Sequence, residues 1–202
     1  MAGPARMLRL GRTGWRLPLA WLLLSLSLWL AVPPHAQAGQ TAAAGVTVRL
    51  YFPNERLNPD ISDCSAVFPV ERQLAQAQRA APAQAALRQL LAGPSADERA
   101  AGYHSLFSPA SADLLKRLRT SGGTAYVDLV DFRARLPGSS SSCGAAEFRA
   151  QIERTLLQFS SISRVRYAID GDPRRFHDWM GEPCDQANGY CSPAPFRVKT
   201  GR

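Results

Sequence analysis

The side chains able to do acid–base or nucleophilic work are few. Of three histidines, His35 lies in an apolar leader, which leaves His104 and His177. His104 stands beside Ser105 and close to Ser108, so a hydroxyl activated by an imidazole is the first chemistry to consider. No G-x-S-x-G turn frames either serine, and Gly102-Tyr103 reads as the entry to a strand. An exposed histidine, or one at the rim of a core, is the simpler expectation. His177-Asp178 could orient an imidazole against a carboxylate, yet Phe176, Trp179 and Met180 around it read as cover for a hydrophobic edge. Asp128 and Asp131 close a strand, and Asp97-Glu98 opens a loop, where solvated carboxylates are the rule. Asp170-Gly171-Asp172 begins like a calcium loop and then lacks the further oxygen ligands such a loop needs. There is no G-x-x-x-x-G-K phosphate cradle. The expectation is therefore a protein without catalytic, cofactor-binding or metal-binding residues.

Cys64, Cys143, Cys184 and Cys191 are the remaining reactive groups. An even number of thiols behind an export signal favours two disulfides, and four cysteines allow three pairings. The favoured set joins Cys184 to Cys191 in a local loop and Cys64 to Cys143 across a long closure that ties two irregular segments. A metal site from His177, Cys184 and Cys191 is the rival, weakened by the absence of any C-x-x-C knuckle.

The export signal occupies residues 1–38. Arg6, Arg9, Arg12 and Arg16 form a positive leader, Leu17 to Val32 is apolar but for a proline and two serines, and Ala36-Gln37-Ala38 offers a small-x-small cleavage site. Cleavage after Ala38 is expected, with an uncleaved N-terminal anchor as the alternative. The leader takes four arginines and no acids with it, so the formal charge of +8 falls to +4. A nucleic-acid partner loses its main support. The basic residues that remain, among them Arg72, Arg79, Arg88, Lys116, Arg117, Arg119, Arg197, Lys199 and Arg202, read as solvated faces.

What must position these groups is one domain. A spacer covers 39–45; the globular part covers 46–175, and an irregular, cysteine-bearing tail covers 176–202. Val46, Val48, Leu50 and Phe52 alternate with polar residues as a half-buried strand, ended by Pro53-Asn54. A second extended segment over 67–75 contains Pro69, which cannot donate to a ladder and so indicates an edge or the strand's start. Pro82 opens a helix with Ala83, Leu87, Leu90 and Leu91 on one stripe, and Gly93-Pro94 closes it. Residues 111–119 fit a short helix through Leu114, Leu115 and Leu118 or a strand through Leu114, Lys116 and Leu118; the turn signal Ser121-Gly122-Gly123 and the alternation of Ala125, Val127 and Leu129 favour a hairpin, and 133–144 reads as a serine-rich excursion. Phe148, Ile152, Leu156 and Phe159 mark a second amphipathic helix with Arg149 and Glu153 paired on its wet side. Val165, Tyr167 and Ile169 form a last strand, ended by Asp170-Gly171. The order predicts an α+β fold: one mixed β-sheet of four to five strands with two helices on one face.

Five segments carry a family resemblance: "VRLYFPN" at 48–54, "PVERQL" at 69–74, "ALRQLLAGPSADERAAGYHSLF" at 86–107, "AYVDL" at 125–129 and "QIERTLLQFSSISRVRYAIDG" at 151–171. Together they resemble the GerMN domain, named for a spore-germination and sporulation protein. The resemblance implies an extracytoplasmic binding module of the bacterial envelope, without a catalytic centre to carry over. The cysteines, the serine-rich insertion and the long tail depart from the family's common pattern. The function expected is a non-catalytic binding or assembly module in the periplasm or outside the cell. The alternative is a peptidoglycan-binding accessory protein or an envelope hydrolase. The expected partner is an envelope protein or a second copy, with peptidoglycan as the alternative; membrane contact is confined to an uncleaved leader.

Overall fold

Alternating burial begins at the first described strand. The computed structural model describes residues 45–184 and 189–197, so the leader at 1–38, most of the 39–45 spacer and the basic end at Lys199 and Arg202 lie outside the described residues. Strand β1 (Val46–Phe52) buries Val48, Leu50 and Phe52 and pairs antiparallel with β2 (Phe68–Leu74). Pro69 is accommodated because β2 has a strand on one side only. Strands β3 (Leu115–Ser121) and β4 (Thr124–Leu129) form the hairpin, turning through Gly122 and Gly123 at φ 56° and 73°. Both glycines occupy the left-handed region that such a tight hairpin turn demands. Strand β5 (Arg164–Ile169) runs parallel to β4, giving the order β3-β4-β5.

The fold is α+β with five strands among the described residues, and these divide into a two-stranded and a three-stranded sheet rather than one. The reason lies at the open edge of β1. There the main-chain N–H of Arg49 donates to Gln158 Oε1 at 2.9 Å, Gln158 Nε2 donates to Arg49 O at 2.7 Å, and the N–H of Tyr51 donates to Thr155 Oγ1 at 3.1 Å. Side chains satisfy the edge where another strand would have continued the sheet.

Among the described residues there are four α-helices where two were expected. Helix α1 (Pro82–Leu91) buries Leu87, Leu90 and Leu91 and ends at Gly93, whose φ of 77° stops the helical spiral. Helix α2 (Ala96–Ala100) occupies the stretch read as a loop; Ser95 Oγ accepts from the N–H of Glu98, and the Glu98 carboxylate accepts from the N–H of Ser95. Helix α3 (Ser142–Leu156) starts inside the serine-rich excursion, because Ser141 Oγ caps it by accepting from the N–H of Gly144. Phe159 lies just past its end. Helix α4 (Pro173–Trp179) replaces the start of the irregular tail, capped by Asp172 and opened by Pro173.

Helices α1 and α3 close over the inner faces of both sheets. The centre of the core is aromatic: Phe148 lies 5.3 Å from Phe107, 5.2 Å from Phe132 and 6.0 Å from Phe176, and Phe176 stacks on Tyr167 at 4.5 Å. Full burial of such rings contributes roughly 1.5–3 kcal/mol each. Cys64, in the loop after β1, is bonded to Cys143 in the first turn of α3, and Cys184 to Cys191 in the tail. Among the described residues no helix is long and apolar enough to cross a membrane.

Candidate functional site

The groups singled out for chemistry are separated and occupied. His104 is exposed, with its main-chain N–H on Pro53 O at 3.1 Å. Ser105 Oγ donates to Gln151 Oε1 at 2.6 Å and accepts from the N–H of Phe107, so it fastens its loop to α3. The N–H of Ser108 donates to Ser111 Oγ, which in turn donates to Leu91 O at the end of α1. Glu98 takes two hydrogen bonds from Arg72 on β2, which corrects the reading of Arg72 as merely solvated. Burial alone would raise the Glu98 carboxyl, but the Arg72 bonds and the N–H of Ser95 hold it below the usual glutamate value. Asp131 is exposed and forked by Arg133, whose bonds bring its carboxyl down to about 2. Cys184 and Cys191 are bonded to each other, so neither sulfur is left to ligate a metal beside His177. The 94–108 segment is thus a connector that holds α1 and α3 to the sheets.

A second polar cluster lies between α3, β5 and α4. Arg149, expected to pair with Glu153, instead binds Glu182 after α4, and Glu153 accepts from the Tyr167 hydroxyl at 3.3 Å. Burial pushes the Glu153 carboxyl up and the Tyr167 phenol well up. His177 Nδ1 is enclosed without a hydrogen-bond partner, 3.8 Å from Glu182 Oε2, and burial lowers its pKa. This cluster anchors α4 to the body of the fold.

An open surface lies at β3. Residues Leu118 and Leu115 face inward against Val127 and Leu129, while Arg117 and Arg119 face outward opposite Asp128 and Tyr126. The register slips between Leu115 and Arg117, and this bulge inserts Lys116 so that it and Arg117 both reach the outer groove. Lys116 Nζ donates to Asp170 Oδ1 at 2.8 Å, and that bond raises the lysine pKa. Asp170 holds a φ of 52°, which a short polar side chain tolerates better than most. The groove, about 700 Å³, opens at the carboxyl ends of parallel strands β4 and β5, with Arg174 and Arg197 on its rim. Neither of those two guanidiniums reaches a carboxylate among the described residues. In parallel α/β sheets this end of the strands is where ligands gather.

On the inner side of β3, a shallower pocket of about 220 Å³ is lined by Pro82, Ala83, Leu118, Thr120 and Phe159. Strand β3 has β4 along one side and no strand along the other among the described residues. Tyr190 and Phe196 of the tail pack against the outer sheet face. Phe196 meets Tyr126 edge-on at 5.5 Å, Arg119 lies over the Tyr126 ring at 5.0 Å, and Arg166 lies over Tyr190 at 4.2 Å. The Cys184–Cys191 bond closes the loop that carries Tyr190.

In the sequence Arg117 and Arg119 read only as parts of scattered solvated faces, and the link between the β3 and β5 arginines was missed. Their signal was spacing: Arg117 with Arg119, and Arg164 with Arg166, stand two apart with an apolar residue between, the mark of one face of a strand.

Residues 49–175 match the model of the family described as Germane: Sporulation and spore germination. A solved structure described as the first GerMN domain of the sporulation protein GerM from Bacillus subtilis is similar at 19% identity and a TM-score of 0.40. That alignment covers 62% of this chain and 84% of the other. No curated protein matches the chain significantly.

Proposed function

This chain belongs to the Germane family, and on that premise we propose an exported, non-catalytic binding and assembly module of the bacterial envelope that meets a partner protein along β3. The observation that carries this reading is the open edge of β3, with Lys116, Arg117 and Arg119 and no acid of its own. An unpaired strand edge offers a row of main-chain donors and acceptors to an incoming chain. Two disulfides support an oxidising compartment. Against catalysis stands the engagement of the Ser105 hydroxyl by Gln151 rather than by an imidazole.

The test is a photo-crosslinking amino acid placed at exposed Thr120 on β3, compared with one at exposed Arg88 on α1, in the exported protein of the living cell. A defined protein adduct from position 120 and none from position 88 is expected. Turnover of a wall substrate by the purified protein, or co-sedimentation with peptidoglycan and no adduct at 120, would overturn the reading.

A further inference from the structure

The two sides of β3 differ in chemistry, and the difference specifies what can lie beside it. Side chains alternate between the faces of a sheet, so a strand added to the free edge of β3 alternates in step with it. Beside Leu118 and Thr120 its side chains fall on the inner face, over the pocket formed with Ala83 and Phe159. Beside Arg117 and Arg119 they stand on the outer face. Arg117 is 3.6 Å from Asp128 and Lys116 is bonded to Asp170. Arg119 lies over Tyr126 and pairs with no carboxylate among the described residues, so of the three cations on β3 it is the one left for a ligand.

Resting on the reading of β3 as the partner-binding edge, we propose that the partner presents an extended segment alternating acidic and apolar residues. It pairs main chain to main chain with β3, seats its apolar side chains over Leu118 and Phe159, and sets carboxylates beside Arg119 and the Lys116 end of the groove. The ladder supplies affinity and the alternation supplies selectivity. A second copy of this chain suits the edge poorly. Pairing β3 with β3 sets Arg117 and Arg119 against their own counterparts, and pairing it with β5 brings Arg164 and Arg166 to the same face.

Fluorescence anisotropy with the disulfide-bonded protein reads the proposal directly. The probe is a short labelled peptide alternating glutamate and valine, about as long as β3. Expected are saturable binding, weakening with added salt, and a loss of about tenfold in affinity with Arg119→Glu. N-methylation of alternate amides, which removes ladder donors without touching the protein, abolishes binding if the segment adds as a strand. Equal binding by the N-methylated peptide, by a lysine–valine peptide or by polyglutamate overturns the proposal. Should the glutamate–valine peptide fail while Thr120 still captures a protein partner, this inference falls and the β3 reading stands. Loss of both removes the two together.

Discussion

Arg117 on β3 and Asp128 on β4 face each other across the outer side of the sheet, guanidinium nitrogen to carboxylate oxygen 3.6 Å apart. Asp128 is 2% exposed, and its other oxygen accepts from the N–H of Gly171 at 2.7 Å. One carboxylate therefore fixes both the basic edge strand and the turn that leads into α4. Asp128→Ala leaves the Gly171 N–H and the Arg117 charge without their partner and should cost about 1–3 kcal/mol. Asp128→Asn keeps an acceptor for Gly171 and should cost less. Urea denaturation of the two variants checks the order.

Gly93 sets the exit from α1. Its φ is 77°, and a Cβ there would sit 2.4 Å from the main-chain oxygen of Phe107. Gly93→Ala meets both the left-handed penalty and a backbone that cannot swing aside, so a loss of at least ~2 kcal/mol is expected. A calorimetric melt reads it as a lowered Tm.

The two disulfides should differ in worth. Cys64–Cys143 spans 79 residues and Cys184–Cys191 spans 7. Loop-closure entropy predicts losses of about 4.5 and about 2.4 kcal/mol when each pair is replaced by serines. The second replacement should also loosen Tyr190 from Arg166, whose ring contact depends on the closed tail loop. Denaturant unfolding of both double variants, with near-ultraviolet dichroism to follow the tyrosine, separates the effects.

Periodic burial made the main elements legible. The alternation at 46–52 and the steps from Phe148 to Ile152 to Leu156 each repeat one face; the structure buries Val48, Leu50, Phe52, Phe148, Ile152 and Leu156 and leaves Val46, at the start of β1, exposed. The split of the sheet was not legible, because Thr155 on α3 and Gln158 just past its end decide it by bonding the edge of a strand about a hundred residues earlier in the chain. Helix α4 announces itself only by Asp172-Pro173, a cap and a first-turn proline in a stretch crowded with arginines. The paired arginines of β3 and β5 were visible as spacing. Their gathering on one face needed the parallel register of β5 on β4, and the placing of Lys116 needed the bulge; neither is written in local sequence.

His177 gives the fold a pH dependence with a definite sign. Burial holds its imidazole below the ordinary 6.5, and Arg149 adds to this, while Glu182 and Asp178 pull the other way. The unfolded chain takes up a proton near 6.5 and the folded chain resists it, so below that value the unfolded state binds more protons. This residue's contribution is then present above pH 6.5 and lost as pH falls through the lowered folded value. Glu147 and Glu153, both raised by burial, act in the opposite sense at lower pH, since the folded state keeps their protons longer. Comparison with His177→Gln cancels that background. Thermal melts from about pH 7.5 to about pH 5.5 should show the parent protein losing stability more steeply than the variant. Parallel slopes would mean that the imidazole takes its proton in the folded state as readily as in the unfolded chain, and that Glu182 rather than burial governs its environment.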